Sequence, residues 1–298
     1  MNKKIVDFHI HTNCSDGVFS PIQVIDIAKA NGVSVLSIAD HDSIEAYTKD
    51  LLNYANDNNI QLIPAVEMST SFYGVGIHVL GYGFDLDNEE LKSTLLTLKN
   101  ARRDYLFNVA KALNNLGYYI DVERLALLPS VAKSHIALDV VSQECNRNLL
   151  MKEFGKIPTK GMFIESIMNE GCPAFVEKFR ISPIEASNII HKAGGKVVLA
   201  HPVAYSYEDG LTESQIADLI VQMNADGVES YYIYTDKNDR VIDECAKWGV
   251  IAENLNKFKT IGSDFHFSDE LRPEIGLINT SLELSEKAVN EIINNLKA

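Results

Sequence analysis

Two hydrophobic periods alternate along this amino-acid sequence. Residues 4–10 and 33–38 are short, almost continuous apolar runs, the pattern of strands buried on both faces. Between them Ser20-Pro21-Ile22-Gln23 carries a capping-box signature with proline at the first helical position. Ile22, Ile25, Ile27 and Ala28 then supply an apolar face, which Gly32 ends. A second helix is predicted over 43–58, and further strands over 60–67 and 76–84. After a different middle section the alternation resumes. Ser182-Pro183-Ile184-Glu185 and Thr212-Glu213-Ser214-Gln215 open two more helices, strands are predicted over 196–200, 227–232 and 260–265, and helices over 236–248 and 285–296. Strands alternating with helices at this spacing predict a parallel α/β architecture. With polar chemistry at the strand ends, that pattern suggests a (β/α) barrel whose site lies at the C-terminal rim.

From residue 88 to about 171 only the helical period is present, as in Leu91, Leu95, Leu96 and Leu98, then Leu106, Val109, Ala110 and Leu113. The expected organisation is therefore a first barrel part over 1–87, a small helical insertion over 88–177 and a second barrel part over 178–298.

Composition narrows the partners. A chain of 298 residues with 46% hydrophobic and 23% charged residues can bury a substantial core. Its net charge of −14 argues against a general nucleic-acid coat, yet divalent cations can make an acidic pocket locally positive. Cys14, Cys145, Cys172 and Cys245 form no CxxC pair, so neither a thiolate zinc site nor a disulfide framework is expected. The first residues turn polar too soon for a signal peptide, and no apolar run is long enough for a membrane span, so a cytoplasmic protein is expected.

The histidines carry the chemistry. His9 and His11 flank Ile10 at the end of the first strand, and residues i and i+2 share a face. Asp40-His41-Asp42 follows the second strand. Glu67 ends the third, His78 lies on the fourth, His201 follows an apolar run, and Asp264 and His266 form another i, i+2 pair. Six of the eight histidines thus sit on or beside strands, with Asp16, Glu67 and Asp264 for company. Carboxylates in such places are tolerated when paired or metal-bound. His191, on a helix, is read as an ordinary surface or core residue. Imidazole with carboxylate and no thiolate suits Mn²⁺, Fe²⁺ or Zn²⁺. Asp40 and Asp42 fit two roles equally, as partners fixing the His41 ring or as loop and helix caps.

In order along the chain, His9-Ile10-His11-Thr12, Ser15-Asp16-Gly17, Ala39-Asp40-His41-Asp42, Ala65-Val66-Glu67, Gly76-Ile77-His78, Leu199-Ala200-His201-Pro202 and Gly262-Ser263-Asp264-Phe265-His266 resemble the motif series of the PHP (polymerase and histidinol phosphatase) superfamily. The insertion between His78 and His201 further resembles that of stand-alone PHP phosphoesterases acting on nucleoside 3′,5′-bisphosphates, some of which also trim short RNA from the 5′ end. The resemblance implies a distorted (β/α)7 barrel with two or three divalent metals. His9, His11, Glu67 and Asp264 would hold one. Glu67 would bridge to a second held by His78 and His201, and Asp16, His41 and His266 would hold a third. His9, His11, Glu67, His201 and Asp264 form the implied catalytic set. The implied reaction is attack of a metal-activated hydroxide on phosphorus, with small nucleotides, other phosphomonoesters or short oligoribonucleotides as substrates and neither a membrane nor a stable protein partner.

Substrate-binding candidates are the cations at the insertion: Arg102, Arg103, Lys133, His135, Lys178 and Arg180. Where the family often has Arg-x-His, this chain has Lys133-Ser134-His135, a point charge in place of a planar fork. A long polar link over 251–260 is also expected to alter the rim. Histidinol-phosphate phosphatase is the alternative enzyme, and a non-catalytic metal-binding PHP module is the alternative of another class.

Overall fold

The computed structural model describes residues 4–236, 238–269, 273–278, 280 and 282–297. The chain divides into two units, Met1–Leu96 with Ile181–Ala298, and Thr97–Arg180. Each is described in turn.

The first unit opens with β1 (Ile5–Ile10), α1 (Pro21–Ala30), β2 (Val33–Ile38), α2 (Lys49–Asp57), β3 (Gln61–Leu62), β4 (Ala65–Phe72) and β5 (Val75–Tyr82). The long α3 (Glu89–Asn115) runs from this unit into the second. The second unit continues with α4 (Val122–Ala126), α5 (Lys133–Ser142), α6 (Arg147–Phe154) and α7 (Lys160–Phe163), around a core that includes Leu106, Leu113, Tyr118, Ile136 and Phe163. The first unit then resumes with α8 (Pro183–Lys192), β6 (Lys196–Leu199), α9 (Pro202–Glu208), α10 (Glu213–Gln222), β7 (Gly227–Tyr231), β8 (Ile233–Thr235), β9 (Val241–Asp243), α11 (Cys245–Asn254), β10 (Phe258–Ile261) and α12 (Glu286–Leu296).

The capping residues act as their sequence signatures require. Ser20, Ser182 and Thr212 each accept the amide three residues on, and Gln23, Glu185 and Gln215 each reach back to the cap. The strands form a sheet of order β1-β2-β3 and a sheet of order β10-β7-β6-β5-β4, with β8-β9 a separate hairpin. Single bridges, Ile10 to Phe265 and His41 to Glu67, link the two larger sheets where the chain leaves β1 and β2. On β1, Val6 and Phe8 join the apolar core, and the period of two turns Asp7, His9 and His11 to the opposite face.

Three local features depart from the expected pattern. The sheet is mixed, because β5 runs antiparallel to both β4 and β6. Tyr73 and Gly74, at φ 49° and 83°, make the two-residue turn whose twist suits a hairpin, so β4 and β5 pair directly without a crossover helix. The second helix begins only at Lys49, because the Tyr47 hydroxyl is bound into the sheet backbone: it accepts from the amides of Ile38 and Ala65 and donates to the Ile38 carbonyl at 2.8 Å. The stretch predicted as a helix over 236–248 is instead the β8-β9 hairpin followed by α11. The Asp236 carboxylate accepts the amides of Asn238 and Arg240 and so fixes a turn where a helix was expected. Since α11 extends to Asn254 and β10 starts at Phe258, the link expected over 251–260 is short.

Candidate metal centre

Strand ends deliver the side chains. His9 and His11 come from the end of β1, His41 follows β2, His201 follows β6, and Asp264 and His266 follow β10. Glu67 and His78 lie on the adjacent antiparallel strands β4 and β5. Asp42, His201 and Asp264 hold positive φ angles of 51°, 24° and 54°, a strained backbone conformation often found where side chains must be aimed.

The donor atoms converge. His9 Nε2 and His11 Nε2 are 3.1 Å apart; His9 Nε2 lies 3.4 Å from both Glu67 Oε2 and Asp264 Oδ1, and His11 Nε2 lies 3.2 and 3.1 Å from the same two oxygens. On the other oxygen of the same carboxylate, Glu67 Oε1 is 3.1 Å from His78 Nδ1 and 3.1 Å from His201 Nε2, and those nitrogens are 3.3 Å apart. His41 Nδ1 is 3.0 Å from Glu67 Oε2, so this ring borders the first group as well as Asp16, whose Oδ2 is 3.7 Å from its Nε2. Asp16 Oδ1 also lies 3.4 Å from His266 Nε2. All nine residues predicted as metal ligands are thus brought together. His11 adjoins two of the groups, and His41 sits with Glu67 and His78 as well as with Asp16 and His266.

These separations fit a metal. Ligands about 2.1 Å from one ion are spaced roughly 3.0–3.4 Å from one another in octahedral or tetrahedral arrangement, the range spanned by the edges around Glu67. Buried Asp16 Oδ1, His41 Nδ1 and Glu67 Oε2 find no well-aligned hydrogen bond within the described residues. Such atoms are costly to bury unless something else satisfies them. The donor set is nitrogen and carboxylate oxygen throughout, as borderline and hard divalent ions require.

Electrostatics points the same way. Burial alone would lower the basicity of His11, but Asp264 and Glu67 beside it override that and hold its pKa at about 10. Burial would raise Glu67, yet His41, His78 and His9 keep its carboxyl well below the usual range. Asp264 is likewise held low against burial, mainly by His9 and His266. Protons and any metal ion held here would therefore compete for one set of donors.

Two acids behind the cluster were not singled out from sequence. Glu229, buried on β7, accepts from His9 Nδ1 at 2.9 Å and from the His201 amide at 2.7 Å. It thereby fixes the His9 tautomer with Nε2 facing the other donors, and it ties the β6 end to β1. A Cβ at Gly262 would come within 2.3 Å of both Glu229 Oε1 and His9 Cβ, so only glycine lets these groups approach. Asp7 accepts the amides of Ser263 and Gly276, which anchors the loop carrying Asp264; burial raises its pKa to about 6. The signal for both was present: an acid inside an otherwise apolar run that becomes a buried strand. Asp40 turns out to hold the loop after β1, accepting from the Thr12 amide, Thr12 Oγ1 and Ser15 Oγ, while Asp42 accepts the Ser69 amide. His191 bonds Asp226.

The six substrate candidates all lie in the helical unit. Arg102 is buried and donates to Ser130 Oγ at 2.8 Å, whereas Arg103, one residue on, is exposed beside the Phe107 ring. Lys133 donates to Asn169 Oδ1, and its pKa is lowered by burial and by Arg180 nearby. His135 accepts the Ala132 amide through Nδ1. Lys178 and Arg180 are half-buried.

No helix among the described residues is long and apolar enough to cross a membrane. No family model matches the chain. It is 30% identical over 296 residues to a 5′-3′ exoribonuclease of Haemophilus influenzae, covering 96% of this chain and 100% of that one. It is 24% identical to a 3′,5′-nucleoside bisphosphate phosphatase of Chromobacterium violaceum, over 91% of this chain and 90% of that one. Its fold is similar to a solved structure from Bifidobacterium adolescentis described as a metal-dependent phosphoesterase, with TM-score 0.73, 20% identity and coverage of 99% and 97% of the two chains.

Proposed function

The chain belongs to the PHP metal-dependent phosphoesterases, and from that footing we propose that its substrates are nucleoside 3′,5′-bisphosphates and the 5′-phosphorylated ends of short RNA. It is a hydrolase of phosphate esters. The observation that carries the metal-centre reading is the carboxylate of Glu67, whose Oε1 faces the nitrogens of His78 and His201 and whose Oε2 faces those of His9, His11 and His41, all at 3.0–3.4 Å. We assign His9, His11, Glu67 and Asp264 to one ion, Glu67, His78 and His201 to a second, and Asp16, His41 and His266 to a third. Two or three Mn²⁺, Fe²⁺ or Zn²⁺ ions suit these donors, and when bound they polarise phosphoryl oxygens and activate water. The protein's own part is to aim the donors. Glu229 and the Asp264 carbonyl accept hydrogen bonds from the Nδ1–H groups of His9 and His266, leaving each Nε2 as a ligand. In our reading the two linked sheets are halves of a distorted (β/α)7 barrel.

The substrate reading rests on shared chemistry. A nucleoside 3′,5′-bisphosphate and the 5′-phosphorylated end of an RNA both present one nucleotide with a phosphate on each side of its ribose. Relatives named for each activity match this chain over most of its length. We propose that Arg102, Arg103, Lys133, His135, Lys178 and Arg180 supply the charge that holds the phosphate not being cleaved, so that binding remote from the reacting centre orients it. Adenosine 3′,5′-bisphosphate should then be hydrolysed at least about a hundredfold better than histidinol phosphate, the equivalent of one or two charge-assisted contacts. Side-by-side kcat/KM values test this; a preference for histidinol phosphate would move the chain to the other branch.

A further inference from the structure

The cavity beside the metal donors, about 250 Å³, is walled on one side by Tyr205, Tyr232 and Tyr234. The aromatic wall continues outward. Tyr234 packs against Tyr207 with ring centroids 6.0 Å apart, and Tyr207 lines a second, more open cavity of about 480 Å³ with Ser206, Thr212, Glu244 and Lys247. The phenol heads are pinned: Tyr234 donates to Glu208 at 2.8 Å and Tyr207 to Glu244 at 3.1 Å. Their rings are thereby held in place at no further ordering cost when a ligand arrives. Tyr207 is nevertheless 44% exposed, and Arg240 reaches over its ring at 5.8 Å. Ser206 Oγ, also lining this second cavity, is buried without a hydrogen-bond partner among the described residues.

The chemistry of this second cavity selects its occupant. Lys247 is paired with Glu213 at 3.0 Å and Glu244 at 2.6 Å, and Arg240 with Asp236 at 3.3 Å, so no net positive charge remains there for a phosphate. An exposed aromatic face, carboxylate acceptors and an unsatisfied hydroxyl instead match a flat, neutral ring with amino and carbonyl edges. We propose that this cavity seats a nucleobase, that of the nucleotide on the 3′ side of the phosphate presented to the metal centre. The tilted Tyr234–Tyr207 pair then joins the two cavities, and a second nucleotide contributes affinity through stacking on Tyr207 that a bisphosphate cannot make. This inference rests on the nucleotide reading above and extends it to a second unit.

The test uses the metal-loaded protein and two measurements. One is the ratio of kcat/KM for a 5′-phosphorylated dinucleotide to that for the corresponding 3′,5′-bisphosphate. The other is the fluorescence of 2-aminopurine placed as the second base of a cleavage-resistant phosphorothioate dinucleotide, which stacking quenches. Tyr207→Ala should lower the ratio about tenfold and abolish the quenching, as loss of one base–aromatic stack requires. Tyr207→Phe, which keeps the ring, should retain both. An unchanged ratio in Tyr207→Ala, or no quenching in the native protein, overturns the subsite while the bisphosphate activity stands. A native protein that cleaves neither nucleotide but some other phosphate ester overturns the nucleotide reading and this inference with it.

Discussion

Glu67→Gln is expected to lower kcat/KM by about a thousandfold, because a ligand shared between ions supports the metal's stabilisation of transition-state charge, which is worth several kcal/mol. The substitution keeps the shape of the side chain and removes its charge. One carboxylate oxygen becomes an NH2 group, which cannot ligate, and the other loses most of its donor strength. Since Oε1 faces His78 and His201 while Oε2 faces His9, His11 and His41, a single change weakens more than one ion's surroundings. The retained imidazoles lose the anion that raises His11 and His201, so their protons bind less tightly. The variant should therefore fold, carry fewer ions per chain than the native protein, and stay weak even in excess metal. Metal analysis alongside steady-state kinetics checks this. Native metal content with native kcat/KM would remove Glu67 from the centre.

Glu229→Gln should act at one remove. The carboxylate accepts a hydrogen bond from His9 Nδ1 with one oxygen and from the His201 amide with the other. A glutamine has only one acceptor oxygen, so its NH2 must face one of two N–H groups. Losing such a partner behind a ligating histidine typically costs about 10–100-fold in metal affinity or activity. The distinctive expectation is recovery: because no ligand is lost, saturating metal should restore most of kcat, which Glu67→Gln does not allow. Metal titrations of activity for the two variants make the comparison, and a Glu229→Gln curve superimposed on the native one would contradict the positioning role.

Much of this arrangement is legible in the sequence because strand ends are easy to see. The i, i+2 pairs His9/His11 and Asp264/His266 follow apolar runs, so the period of two fixes which side chains share a face. The capping boxes at Ser20, Ser182 and Thr212 mark helix starts to the residue. Harder to see was what depends on contacts far apart in the chain. The direction of β5 is set by a two-residue turn at Tyr73-Gly74 that reads like any loop. The missing first turns of the second helix trace to one tyrosine hydroxyl bound into a neighbouring sheet. Glu229 and Asp7 were hidden for a related reason: each sits within a run whose apolar neighbours define a strand, and only the folded structure shows that His9, 220 residues away from Glu229, waits beside it.

The central claim, that histidines and carboxylates from six strands form one metal centre doing the hydrolysis, is tested most directly by coupling metal content to turnover. The protein is purified without chelator, its ions are counted, and phosphate release from adenosine 3′,5′-bisphosphate is followed as a chelator strips them and Mn²⁺ is returned. More than one divalent ion per chain is expected, with activity falling to background as they leave and returning with added metal. Undiminished phosphate release from protein shown to be metal-free would contradict it.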